Sequence, residues 1–140
     1  MAIDSLFGIA SSALNAQLTR MNTTASNLAN ANTTANSEAG AYKAKRINFE
    51  AILTATNPVD EQFKGGVRIG EISEDRAPVP SMFDPGHPNA DANGYVYGTN
   101  VNEVAEMVDL MASARSYQNN VEVINTAKQL MLRTLEITKA

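Results

Sequence analysis

His87 is the only histidine in the chain, so any imidazole chemistry would run through it. It stands in Asp84-Pro-Gly-His-Pro88, where two prolines and a glycine specify a sharp turn. A turn position explains that histidine without giving it a base to be. Glu103 and Glu106 form a carboxylate pair on one helix face, a spacing that acid–base chemistry could use. Their place at a helix start accounts for them through the helix dipole alone. Asn89, Asp91, Asn93 and Gly94 have the spacing that opens an EF-hand calcium loop, but the twelfth position is Asn100 and not a bidentate glutamate. Gly65-Gly66 lacks the Lys-Ser/Thr pair and the following helix of a phosphate loop. Cysteine is absent, which removes disulfides, thiolate zinc sites and thiol nucleophiles. The reading is of a protein that is not an enzyme, with no catalytic residue, no metal and no cofactor.

Bulk properties narrow the partners. The net charge is −4 and the isoelectric point near 4.9, whereas nucleic-acid binding needs a clustered positive field. Lys43, Lys45 and Arg46, beside Tyr42, are the only tight basic group and read as a solvated strand edge. Nucleic acid is therefore not expected as a partner. Hydrophobic residues make up 44% and charged residues 19%, and no run approaches the roughly 20 apolar residues of a membrane span, so neither disorder nor membrane insertion is expected. The first residues show no basic cluster ahead of an unbroken apolar run, so a cleaved secretory signal is not expected either.

The elements that would position these groups fall into three regions. Residues 1–36 carry an axial helix from residue 3 to about 30, with Phe7, Leu14, Met21 and Leu28 every seven residues and Leu18 and Ala25 between them. Asp4 or Ser5 is the expected cap. Up to Ser37 the only charges are Asp4 and Arg20. A helix facing water normally carries Lys and Glu outside, so this uncharged, small-residue surface suits a helix closely surrounded by other chains. Residues 37–99 form a small segment rich in loops and short strands, around Tyr42, Ile47 and Phe49 and then Val67, Ile69 and Ile72. A mobile stretch is expected near residues 55–66, and Asn93-Gly94 signals a hairpin before Tyr95-Val96-Tyr97. Residues 100–140 carry a long helix. Met107, Leu110, Ala114, Tyr117, Val121, Ile124, Lys128, Met131 and Leu135 alternate spacings of three and four, a seam broken by one polar residue. Asn100 with Glu103 is the expected cap and its reciprocal partner.

The fold class is thus mainly α. Long N- and C-terminal helices pack as a coiled coil or helical hairpin, around a small middle segment containing a β-hairpin. A helix of the third region's length reaches roughly 55 Å, whereas a globule of this chain length has a radius of gyration of about 14 Å. The chain cannot wrap such a helix alone, and two helices leave apolar surface for neighbours. Assembly follows, with Leu14, Leu18, Met21, Leu28, Met107, Leu110, Tyr117, Val121, Ile124, Met131 and Leu135 as its expected contact residues.

Two stretches are recognisable as they stand. Thr24-Ala-Ser-Asn-Leu-Ala-Asn-Ala-Asn-Thr33 resembles the N-terminal signature of the bacterial flagellar rod and hook family. Asn100-Val-Asn-Glu-Val-Ala-Glu-Met107 and Ser113-Ala-Arg-Ser-Tyr-Gln-Asn-Asn-Val-Glu-Val-Ile-Asn-Thr-Ala-Lys128 resemble its C-terminal one. The segment from Asp84 to Val96 resembles the middle of the C-type proximal rod members, and Thr99 stands where those commonly place proline. The resemblance implies a structural subunit of the proximal rod, the periplasmic drive shaft of the basal body. It implies helical assembly around the export channel with copies of itself, with the B-type proximal and distal rod proteins, and with the adapter at the rod base. It also implies delivery by the flagellar type III export apparatus.

Overall fold

The computed structural model describes residues 2–52 and 65–139, and the side chains of residues 5–52 and 65–137 among them. The element order is α1 (Ala2–Ala29), β1 (Lys45–Ala51), β2 (Val67–Glu74), β3 (Ser81–Phe83), β4 (Tyr95–Tyr97) and α2 (Glu103–Lys139). β1 pairs with β2, and β3 pairs antiparallel with β4, each as a two-stranded sheet. This is the mainly helical fold with a small β-hairpin-containing middle segment that the sequence predicts, and β3 is a strand the sequence does not mark. The stretch expected to be mobile lies, apart from Gly65 and Gly66, outside the described residues.

α1 begins at Ala2, so Asp4 and Ser5, the positions expected to cap it, fall within its first turn. At its other end Ser26 O accepts both the Asn30 N–H (3.2 Å) and the Asn30 side-chain amide (2.8 Å). Along the helix Ala10, Ala13, Gln17, Arg20, Thr24 and Asn27 are covered. Ser11, Asn15, Leu18, Asn22, Ala25 and Ala29 form the exposed stripe, and none of them is charged.

α2 runs for 37 residues, or about 55 Å. Its cap is Asn102, not Asn100: Asn102 Oδ1 accepts the Ala105 N–H (3.0 Å), and its carbonyl accepts the Glu106 N–H (3.0 Å). The covered stripe of α2 is Glu103, Glu106, Leu110, Ser113, Tyr117, Asn120, Ile124, Ala127 and Met131. It shares Leu110, Tyr117, Ile124 and Met131 with the apolar repeat. Elsewhere it is displaced by one residue, with Glu106 covered beside exposed Met107 and Ala127 beside exposed Lys128.

The buried apolar residues among those described are Ala10, Ala16, Ala41, Ala44, Ala127 and Val96. Alanines let backbones approach closely but remove little apolar area from water per residue. Many larger apolar side chains stay outside, including Val104, Met111 and Ile137.

The chain divides into two compact units, residues 1–20, 49–70 and 112–140, and residues 21–48 and 71–111. In the first, Ser12 links α1 to the start of β2: its hydroxyl donates to Ile9 O (2.7 Å) and accepts the Val67 N–H (3.1 Å). Gly66 makes this approach feasible. Its φ is +137°, and a Cβ there would stand 3.0 Å from Ser12 Oγ. In the second unit β3 and β4 register as Ser81 with Tyr97, Met82 with Val96, and Phe83 with Tyr95, and Ala35 bridges to Tyr97 beyond β4. The Asn93-Gly94 turn is present ahead of β4, with Gly94 at φ +81°, but the whole of residues 84–94 connects the two strands.

Candidate functional site

The second unit is organised around one buried amide. Asn27, on the last turns of α1, is 1% exposed. Its Oδ1 accepts the Lys45 N–H (2.9 Å) and the Tyr42 hydroxyl (3.0 Å), and its Nδ2 donates to Lys45 O (3.0 Å) and to Glu106 Oε2 (3.1 Å). Both donors and both lone pairs of the amide are therefore used. Asn27 completes a strand-like pair of bonds with Lys45 at the head of β1 while also holding α2.

Glu106 is 2% exposed, and a buried carboxylate needs a cation and further donors. Arg46 supplies the charge, its NH1 donating to Glu106 Oε1 (3.0 Å), while Nε and NH2 donate to Asp75 Oδ2 (both 3.3 Å). One guanidinium thus joins α2 to the residue after β2. The Ala77 amide, and after it the Arg46 guanidinium, hold the Asp75 carboxyl below the usual carboxylate range.

Asn100 extends the same cluster. Its Oδ1 accepts the Ala44 N–H (2.7 Å), and its Nδ2 donates to Asp75 O (3.2 Å) and Ala77 O (2.9 Å). Thr99, in the position expected to favour proline, donates its hydroxyl to Ala31 O (2.9 Å), a bond proline has no group to make. Asn32 Nδ2 donates to Glu103 Oε1 (2.6 Å). The two terminal signatures therefore meet at Asn27 with Glu106 and at Asn32 with Glu103, and Ala31 meets Thr99 just ahead of the second signature. Asn102→Ala is expected to cost about 1 kcal/mol, an ordinary cap loss. Asn100→Ala, which orphans three backbone groups, should cost about 2 kcal/mol. Urea unfolding midpoints of the two variants measure the difference.

The first unit presents a groove of about 350 Å³, lined by Leu6 of α1 and by Asn119, Glu122, Val123, Thr126, Ala127 and Leu130 of α2. Val123, Leu130 and Ile137 follow one another at seven-residue intervals and are all exposed.

The expected contact residues are distributed as follows. Leu14, Met21 and Leu28 on α1, and Leu110, Tyr117, Val121, Ile124 and Met131 on α2, are half-buried within the single chain. Leu18 (47%), Met107 (47%) and Leu135 (51%) are exposed. Met107 shares its face with Val104, Val108 and Met111, all more exposed than itself. The residues with chemical potential are spent locally. His87 Nδ1 accepts the Asn89 N–H (3.0 Å), and Asp91 Oδ1 accepts the Asn93 and Tyr95 N–H groups (both 2.8 Å). No group of His, Cys, Asp or Glu among the described residues could hold a metal ion.

Sequence reasoning missed Asn27, Arg46, Asp75 and Asn100 as a connected set. One local signal existed: Asn27 sits beside Leu28, three residues after Thr24, on the covered side of a helix without outer charges. Nothing local points to partners nearly eighty residues away.

The matches to known proteins fit this arrangement. Residues 7–35 match the family described as flagella basal body rod protein, and residues 92–137 match the C-terminal region of flagellar basal body rod FlgEFG proteins. The chain is 44% identical to the flagellar basal-body rod protein FlgC of Salmonella typhimurium over 137 residues, covering 98% of both chains. It is 46% identical to the FlgC of Yersinia enterocolitica over 98% of both chains. The FlgC of Bacillus subtilis is 37% identical, over 94% of this chain and 95% of its own. The chain belongs to the flagellar basal-body rod protein family, and is a structural rod subunit of the flagellum, located in the basal body with its other rod components.

Proposed function

We propose that this chain builds the proximal part of the rod by packing both terminal helices against those of neighbouring copies, and that it catalyses nothing. The observation that carries this reading is the surface of the two helices. α1 faces outward with the uncharged stripe Ser11, Asn15, Leu18, Asn22, Ala25 and Ala29. α2 leaves Val104, Met107, Val108, Met111, Val123, Leu130, Leu132, Leu135 and Ile137 exposed. Such surfaces are unfavourable in water and favourable between closely packed helices. Leu14, Leu18, Met21 and Leu28 of α1, with Met107, Leu110, Tyr117, Val121, Ile124, Met131 and Leu135 of α2, carry the packing within and between subunits.

The partners in this reading are copies of the chain, the B-type proximal and distal rod proteins, and the adapter at the rod base. The flagellar type III export apparatus delivers it to the periplasm, where the subunits surround the export channel. Torque then passes through many side-by-side helix contacts, which supply stiffness without an active site. Deleting the gene in its host should abolish both swimming and the rods seen in isolated basal bodies, and the intact gene should restore both. Normal swimming with intact rods would instead favour a generic coiled-coil scaffold, which the exposed apolar face of α2 also accommodates.

A further inference from the structure

We propose that Asn93–Gly94 is a latent self-modification site, an asparagine that converts to aspartate and isoaspartate unless the folded turn holds the following nitrogen away. The chemistry needs only the chain and water. The Gly94 nitrogen gives up its proton to solvent base and attacks Asn93 Cγ. The new C–N bond closes a cyclic imide as the Cγ–NH2 bond breaks, and the nitrogen leaves as ammonia after taking a proton from water. Water then opens the imide on either side, giving aspartate or, with the main chain rerouted through Cβ, isoaspartate. Nothing is oxidised or reduced.

Glycine after asparagine favours the attack because no side chain hinders the nitrogen. The fold requires that glycine. Gly94 is buried at φ +81°, and a Cβ there would stand 3.0 Å from Phe83 Cε2 and 3.1 Å from Pro85 Cγ. A residue that would slow the reaction is therefore excluded, and protection must come from geometry.

The structure supplies it through Asp91. The Gly94 N–H donates to Asp91 O (3.0 Å), which engages the proton that must leave. Asp91 Oδ1 accepts the N–H groups of Asn93 and Tyr95 (both 2.8 Å), and the Asp91 N–H donates to Tyr95 O (2.8 Å). The backbone is pinned on both sides of the reactive bond, and the carboxylate's charge opposes formation of an amide anion beside it. Conversion in the folded chain thus requires local opening of the turn. In the unfolded chain it proceeds freely. Isoaspartate adds a main-chain carbon just ahead of the tightly packed Gly94, so a converted chain does not rebuild this loop. The dipeptide sets a time limit on how long the chain can wait before folding.

The test follows the mass gain of the Asn93-containing peptide, with enzymatic isoaspartate detection, in the full chain held in mildly alkaline buffer. Native protein is expected to convert roughly tenfold or more slowly than the same chain in guanidinium chloride. Asp91→Ala removes the carboxylate and its two bonds but keeps the backbone bonds of residue 91, so in native buffer it should convert roughly threefold or more faster than the native parent while staying below the unfolded rate. Asn93→Ser should remove the signal and so assign it. Equal native and unfolded rates for the unaltered chain would overturn the proposal, as would an Asp91→Ala chain of native circular dichroism that converts as slowly as the parent. Should Asp91→Ala fail to fold, the native-against-unfolded comparison decides alone.

Discussion

Asn27→Asp is expected to destabilise the protein by about 3–5 kcal/mol although it exchanges one amide group for a carboxylate of the same shape. The size of the effect comes from polarity. Asn27 Nδ2 donates to Glu106 Oε2 at 3.1 Å and to Lys45 O at 3.0 Å. Aspartate would place an acceptor oxygen against both. Two carboxylates would then face each other where Glu106 is 2% exposed, with Arg46 as the cation bonded to one of them. Against a total stability of about 5–15 kcal/mol for an ordinary domain, such a loss approaches the whole. Asn27→Ala should cost somewhat less, because it removes bonds without adding repulsion.

Glu106→Gln placed on the Asn27→Asp background discriminates this account from general damage. The glutamine amide can donate to the new carboxylate and restore a bond of reversed polarity, so the double variant should recover about 1–2 kcal/mol of the single loss. Equilibrium urea unfolding followed by circular dichroism gives all four corners of the cycle. An Asn27→Asp loss below about 1 kcal/mol, or a double variant no better than the single, would show that the amide is not the hub described.

These effects separate what the sequence discloses from what it does not. Both helices are legible because their apolar residues recur at seven-residue intervals over long spans, and the first strand pair because Ile47, Phe49, Val67, Ile69 and Ile72 cluster between turn residues; of the second pair only β4 is legible, since the three residues Ser81–Phe83 are too few to show a pattern. The cap of α2 is displaced by two residues because Asn100 and Asn102 carry the same local signal. Only tertiary partners assign Asn100 to Ala44, Asp75 and Ala77 and leave Asn102 for the helix. The covered stripe of α2 is harder still. Apolar periodicity places Met107 inward, but the paired polar groups Asn27, Arg46 and Glu106 take that side in the single chain. A pattern of apolar residues does not say which seam closes within one chain and which awaits another.

Met107→Asp exploits that distinction. Met107 is 47% exposed, on a face with Val104 (71%), Val108 (56%) and Met111 (64%), at spacings that line one side of a helix. A carboxylate there remains solvated in the isolated chain, so its unfolding free energy should change by no more than about 0.5 kcal/mol. Within the assembled rod, by the packing reading, the same charge would be enclosed without a partner, at about 3–5 kcal/mol for each subunit contact. Since every copy carries the defect, incorporation should fail and swimming with it. Met107→Leu, which keeps volume and polarity, should swim normally. Leu110→Asp is also expected to abolish incorporation but is less informative, because Leu110 is half-buried in the single chain and its loss would disturb folding as well. Swimming and basal-body rods in a deletion strain carrying each variant provide the readout. If Met107→Asp swims normally while its isolated chain is unchanged, this face of α2 stays solvated in the rod. Packing would then have to run through Leu18 and Leu135, the other expected contact residues exposed in the single chain.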